Sequence, residues 1–469
     1  MTRGSRLEMV VLVLLALAAR GVFFWLGPLS DGTRALNPDA RRYLFLADNL
    51  RTRGVFGLED GGEGFTHVEF DRLRRANGTQ LPLSNGLRTE TFRTPGYPAF
   101  IALTGGSLAE VRPTLVAQSL CGALCAAGVF LVALTLGVPR SGALCAGTLW
   151  ALHPAMIVCD LTIGTESLFN SFTVLALVLS TASRAGVATT GAGLVMGINA
   201  LVRPLLGLFY LPLAMLVAMK RRTLSAGLVA LMLIVAVVPT VAWSVRNMRA
   251  GDGFRVSWVN DMNLLFYYTA FAMAEERNED WGANWEANVH RLGSQLEQRL
   301  TPGADVPAAA RQLALEELLR RPVPAFRVLT KSSVKLLVAH SLEDAARLTG
   351  SQYQPTGLFA RLFLRDATEG AAADPGPVFL ALAWTGLNVL IACTAFMALG
   401  LALFRKNWGL AVGCGLPLVL FVAATGAVGL ERMRLPMMLP LFLLCGSIVG
   451  TPLLARMSIR SRTRAAEAL

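Results

Sequence analysis

Apolar runs approaching the ~20 residues that a helix needs to cross a hydrocarbon core recur along the chain. Split at Pro, Gly and charge clusters, they predict roughly ten membrane spans, over 7–29, 113–136, 143–158, 165–183, 186–201, 204–219, 224–243, 378–404, 408–428 and 434–455. The first run follows Arg3 and Arg6, as the core of a signal peptide would. It is long, however, ends in Phe23, Phe24 and Trp25, and offers no small-residue cleavage site, so it reads as a retained span. No internal repeat and no inverted pair of broken helices accompanies the spans.

Two long polar stretches, about 31–98 and 246–377, interrupt this pattern. From a cytoplasmic N-terminus both fall by parity on the outer side. The short loops of the other side hold Arg140, Arg184, Lys220, Arg221, Arg222, Arg405, Lys406 and the Arg456 to Arg464 tail. Cations gathered in short loops mark the cytoplasmic face, and long loops are exempt from that rule. The predicted organisation is therefore an N-terminal transmembrane module (1–245) that includes the first outer loop, an outer region (246–377), and C-terminal transmembrane helices with a basic tail (378–469).

Helical periodicity continues inside the loops. Ala40, Tyr43, Leu44, Ala47 and Leu50 fall on one side of a stretch whose other side carries Arg41, Arg42, Asp48 and Asn49. This describes an amphipathic helix in the membrane interface, started by Pro38, with Asp39 in its first turn. A first-turn acid has a ready structural role, because it meets the positive end of the helix dipole. In the second loop "AAARQLALEELLRRP" and "AFRVLTKSSVKLLVAH" form a predicted helical pair. Arg327, Lys331 and Lys335 recur every four residues there, a cationic stripe suited to phosphate headgroups or to guiding a charged lipid substrate.

Composition sharpens this picture. Hydrophobic residues make up 54% of the chain and charged residues 16%, the balance of a polytopic membrane protein. The net charge of +12 then reads as topology and contact with anionic lipid, with no need for nucleic acid. The seven cysteines lie in or beside apolar segments without a CxxC or Cys/His cluster, so they read as small buried hydrophobes.

A set of ionisable residues stands at the outer ends of the spans: Arg93 before "TPGYP", Glu166 in "LTIGTESLF", Arg203 in "ALVRPL", Arg246 in "PTVAWSVRN", and Glu431, Arg432 and Arg434 in "GLERMRLP". Singly, each arginine could be a snorkelling anchor and Glu166 a helix-end acid. Together at one membrane level they point to a site that binds an anion and moves a proton. ATP and nucleotide sugars are not expected outside the cytoplasm. A transferase there needs a donor that carries its own activation, such as a sugar on a polyprenyl phosphate. Phosphate leaves readily and needs positive charge more than a proton, whereas the acceptor needs one base, for which Asp39 is the candidate.

With "DARRYLFLADNL", "RTPGYPAFIAL", "HPAMIVCDLTIGTESLF", "INALVRPLLGLFYLPL", "PTVAWSVRN" and "ERMRLPMMLP" in this order, the chain resembles polyprenyl-phosphate-dependent glycosyltransferases of the GT-C fold, in the branch of protein O-mannosyltransferases and lipid A aminoarabinose transferases. The resemblance implies an all-α polytopic membrane protein of the bacterial inner membrane with its site facing the periplasm. The implied donor is a sugar on a polyprenyl phosphate such as undecaprenyl phosphate, transferred with inversion to a glycolipid, polysaccharide or protein. It places Asp39 as catalytic base, with Glu90 and Glu166 as further acids. Arg93, Arg203, Arg246 and Arg432 fall at basic positions for the donor phosphate, and Tyr43 and Tyr97 would line the substrate pocket. The aminoarabinose transferases have a Lys followed by two prolines where this chain has "ETFRTPGYP". No cofactor is required; a divalent ion, Mg or Mn, shared by Asp39 and Glu166 is the one metal arrangement the residues suggest. Two other classes share the outer arginines: a transporter or flippase for a lipid-linked or anionic solute, and a silent scaffold subunit of the same fold. Charges gathered toward one face, with long outer loops, favour the enzyme.

Overall fold

The computed structural model describes residues 3–59, 72–73, 82–181, 185–204, 206–221, 225–338, 341–351, 375–425 and 435–449. The described part of every predicted span is largely helical. In chain order the helices are α1 (Arg3–Leu26), α2 (Ala40–Arg53), α3 (Gly96–Thr104), α4 (Arg112–Thr135), α5 (Arg140–Leu152), α6 (Pro154–Asp160), α7 (Thr165–Ser180), α8 (Ala185–Asn199), α9 (Leu211–Arg221) and α10 (Ala226–Arg249). There follow α11 (Val259–Asn263), α12 (Ala270–Glu276), α13 (Trp285–Arg299), α14 (Val306–Arg320), α15 (Pro322–Val338), α16 (Leu342–Thr349), α17 (Pro375–Phe404), α18 (Trp408–Thr425) and α19 (Met438–Val449).

Four of these, Gly4–Leu26, Arg112–Thr135, Ala226–Arg249 and Phe379–Phe404, are long and apolar enough to cross a bilayer alone. The bent pair α5 and α6, with an angle of 49°, makes a fifth. Full-length crossings among the described residues are thus fewer than the roughly ten predicted. The apolar helices that fall short, Thr165–Ser180, Leu208–Lys220, Trp408–Ala424 and Leu435–Val449, include core elements that need not meet lipid. Helix α7 is buried from Thr165 through Ser171. A core of residues from α1, α4, α5, α7 and α19 holds the bundle together, with Leu12, Phe130, Trp150, Phe169 and Phe442 among its largest members.

The first outer loop contains helix α2, as periodicity predicts, but its apolar face meets protein. Ala40, Tyr43, Leu44 and Ala47 join the bundle core, while Leu50 is half-buried and Phe45 remains 43% exposed. The loop also forms a small antiparallel sheet in the order β1 (Gly57–Leu58), β3 (Leu87–Thr89), β2 (Leu83–Ser84). Asn85 and Gly86 close the hairpin with φ of 49° and 76°, the left-handed pair that a two-residue turn needs.

The second outer loop folds into helices α11 to α16. Trp258, Met262, Leu265, Phe266, Val289, Leu292, Leu296 and Leu313 form a core of their own, which Phe92 of the first loop enters. The Phe92 and Trp258 rings lie 4.3 Å apart, so the two outer loops share one interior. The predicted helical pair is present as α14 and α15.

Candidate active site

The first outer loop is anchored where the chain leaves α1. Leu36 pairs with Ile163 as an isolated parallel bridge, and the Ile163 N–H donates to the Ala35 carbonyl at 2.9 Å. Asn37, next along, is buried and uses its amide twice. Its Nδ2 donates to the Ile163 carbonyl at 2.8 Å and its Oδ1 accepts the Asp39 N–H at 2.9 Å. This side-chain turn fixes the backbone of Asp39 against the segment between α6 and α7.

Asp39 is the N-cap residue of α2, yet its carboxylate makes no capping bond. The carboxylate turns instead to Arg93, whose Nη2 donates to Oδ1 at 2.7 Å. The other fork of Arg93, Nη1, donates to the Tyr43 hydroxyl at 3.0 Å, and its guanidinium lies 5.0 Å from the Tyr43 ring and 4.8 Å from the Phe92 ring. The Asp39 side chain is 26% exposed and that of Arg93 13%. The helix-end role open to Asp39 from sequence is therefore not the one its side chain takes.

Glu90 differs. Its Oε2 accepts two bonds from Arg42, at 2.6 and 3.2 Å, and its Oε1 accepts the Phe92 and Arg93 N–H groups at 2.6 and 3.0 Å. Burial alone would push its pKa up, but the Arg42 charge and these hydrogen bonds outweigh it and hold the carboxyl below the usual range. Its oxygens are committed to shaping the 90–93 turn. Glu90 thus sets the direction of Arg93, and the expectation of a catalytic acid gives way to an anchoring one. Arg246, at the end of α10, donates to the carbonyls of Glu90 and Phe56 and lies 4.6 Å from the Trp243 ring. It supports the same turn from below, with its fork already occupied by backbone.

Glu166 stands in the first turn of α7 and pairs with Arg203 at 3.0 Å, both side chains being buried. Gly164 is required beside them, because a Cβ there would lie 2.6 Å from Glu166 Oε2 and 3.2 Å from Asn37 Nδ2. The Gly164 N–H donates to the Tyr97 hydroxyl at 2.8 Å, and Tyr97 donates to Gln118 Oε1 at 2.7 Å. Gln118 in turn donates to the carbonyls of Asp160 and Thr162. Tyr97 is wholly buried, so of the two tyrosines expected to line a pocket it braces the fold instead, its ring edge-on to Tyr43 at 5.2 Å.

The structure therefore joins Asp39, Tyr43, Glu90, Arg93, Tyr97 and Arg246 through direct contacts, and links Glu166 and Arg203 to them through Asn37 and Gly164. Arg432, with Glu431 and Arg434, lies outside the described residues. The two carboxylates weighed for a divalent ion each face a guanidinium, an arrangement suited to anions. Among the described residues no group of three or more His, Cys, Asp or Glu could hold a metal.

Three partners escaped the sequence reading. Arg42 pairs with Glu90, and deep in the bundle Arg20 Nε donates to Asp160 Oδ2 at 2.7 Å. Asp160 Oδ1 also accepts the Ser167 hydroxyl, and Arg20 Nη1 donates to the Ala16 and Ala151 carbonyls. Ionisable residues within apolar runs were the available signal for Arg20 and Asp160.

Neither a protein-family model nor a curated protein sequence matches the chain. Among solved structures it is similar to ArnT from Cupriavidus metallidurans bound to undecaprenyl phosphate, with 16% identity, coverage of 94% of this chain and 78% of that one, and a TM-score of 0.36. It is also similar to the apo oligosaccharyltransferase of Archaeoglobus fulgidus, with 11% identity, coverage of 98% of this chain and 52% of that one, and a TM-score of 0.41.

Proposed function

We propose that this protein is an integral-membrane glycosyltransferase of the GT-C fold that moves a sugar from a polyprenyl phosphate to an acceptor on the extracytoplasmic side. The observation that carries this reading is the Asp39–Arg93 ion pair, in which a carboxylate and a guanidinium suited to phosphate meet, both partly exposed. An acceptor hydroxyl attacks the anomeric carbon while the bond from that carbon to the phosphate oxygen breaks. The bonding electrons leave with the phosphate, the hydroxyl proton passes to Asp39, and a single displacement inverts the centre. Arg93 offers its planar fork to the phosphate, whose charge it is suited to stabilise. Because Arg93 rests on Asp39, an arriving phosphate competes for the guanidinium and releases the carboxylate to act as base. Donor binding thereby prepares the acid for its task. Glu166 and Arg203 form the adjoining wall, and Tyr43 holds the second fork of Arg93.

The test is turnover of the purified protein in lipid nanodiscs with a polyprenyl-phosphate sugar. Asp39→Asn is expected to lower kcat by about 10²–10⁴-fold with donor affinity kept or raised, since the phosphate no longer competes with the carboxylate for Arg93. Near-normal turnover in that variant would remove Asp39 from the chemistry.

A further inference from the structure

We propose that the outer faces of α14 and α15 form a docking strip for the headgroups of anionic phospholipids. The proposal rests on the membrane placement of the chain and is independent of sugar transfer. Across the elbow between the two helices, Leu315, Leu319, Val323, Phe326 and Val334 present large apolar side chains outward, with Leu319 79% and Phe326 68% exposed. Scattered exposed leucines are ordinary, but a continuous apolar ridge marks a covered surface.

The rest of α15 says where that surface lies. Ala325 and Val328 pack into the outer module, whereas Leu336 belongs to the core of the membrane bundle. The Val338 carbonyl at its end accepts a bond from Asn388 Nδ2 of α17 at 3.3 Å. From Arg321 to Leu336 the helix advances about 22 Å. It therefore passes from the outer module into the bundle, and its outward face crosses the headgroup layer between them.

Charge selects the occupant. Arg327 is exposed beside the apolar residues and Lys335 on the flank of the same helix, and neither has an ion pair among the described residues. Lys331, the middle member of the cationic stripe, is committed elsewhere: it bridges Glu275 at 2.7 Å and lies 5.7 Å from the Trp281 ring. The neighbouring acids are neutralised, Glu316 by Arg299, Glu317 by Arg320 and Arg321, and Glu276 by Arg321. What remains is an apolar ridge with two free cations, complementary to lipid tails edged by phosphate.

The experiment uses the full chain in nanodiscs of phosphatidylcholine alone or mixed with phosphatidylglycerol, read by hydrogen exchange over 306–338 and by native mass spectrometry of retained lipid. Phosphatidylglycerol is expected to slow exchange in α15 and to stay bound. The Arg327→Gln/Lys335→Gln double variant should weaken retention roughly thirtyfold, each charge contributing about fivefold. Arg327→Lys/Lys335→Arg should restore it, and Lys331→Gln should leave it within about twofold, since that ammonium is already paired. Equal exchange in both lipids, unchanged retention in the double variant, or protection gained only from an acidic protein partner would overturn the proposal.

Discussion

Two arginine–carboxylate pairs, Arg93–Asp39 in the segment after α1 and Arg20–Asp160 within the bundle, have the same N–O distance of 2.7 Å and opposite surroundings. Asp160 is closed in by Arg20, by Ser167 and by Gly122, where a Cβ would lie 1.9 Å from its Oδ2. Arg20 also satisfies two helix carbonyls, and both residues are buried. Asp39 keeps a quarter of its side-chain surface open and caps nothing. The difference teaches that an ion pair's role lies in what else its members hold. A buried pair that also holds neighbouring helix carbonyls fixes helices; a partly exposed one can trade partners.

The comparison breaks most decisively at Asp39, through the large kcat loss expected for Asp39→Asn. Next, Arg20→Ala should cost about 3–5 kcal/mol of stability by leaving the Asp160 carboxylate buried alone, seen as a lowered Tm in nanodiscs. An Arg20→Met/Asp160→Leu double variant should regain most of that loss, because removing both charges removes the desolvation cost. If the single variant melted like the parent, the buried pair would have no structural role.

Arg93→Lys should leave Tm nearly unchanged but weaken donor binding about tenfold, because an ammonium cannot offer phosphate oxygens the planar fork that a guanidinium does. Isothermal titration with the polyprenyl-phosphate sugar measures this, and an unaltered affinity would take Arg93 out of the donor site. Smaller still is the acid response of Glu90. Its folded pKa lies below the ordinary value of 4.5, so its stabilisation is fully present above that value and fades as the pH falls through the depressed one. Glu90→Gln should flatten the acid limb of the Tm profile; an unchanged limb would show that the 90–93 turn draws nothing from this charge.

Much of the architecture is legible in the chain itself, because apolar length and helical period are local properties. Among the described residues all ten predicted segments are largely helical, and α2, α14 and α15 appear where their amphipathic periods place them. The small hairpin was legible too, in the Asn-Gly at 85 and 86, but its neighbours alternate too weakly to show a strand. The site was only half legible. Asp39, Arg93, Glu166 and Arg203 stand out as charges at one membrane level, but who pairs with whom depends on contacts across 54 positions for Arg93–Asp39. The saturation of Glu90 was hidden for the same reason, since two of its four bonds come from Arg42 on another element.

The parallel bridge between Leu36 and Ile163, with the Asn37 amide fastened to the Ile163 carbonyl, has a further consequence. It ties Asn37, two residues before Asp39, to the segment between α6 and α7, so the position of Asp39 is set by the helix bundle. In the proposed reaction an acceptor has to be carried to a fixed point, and discrimination among acceptors falls to the surface that delivers them there.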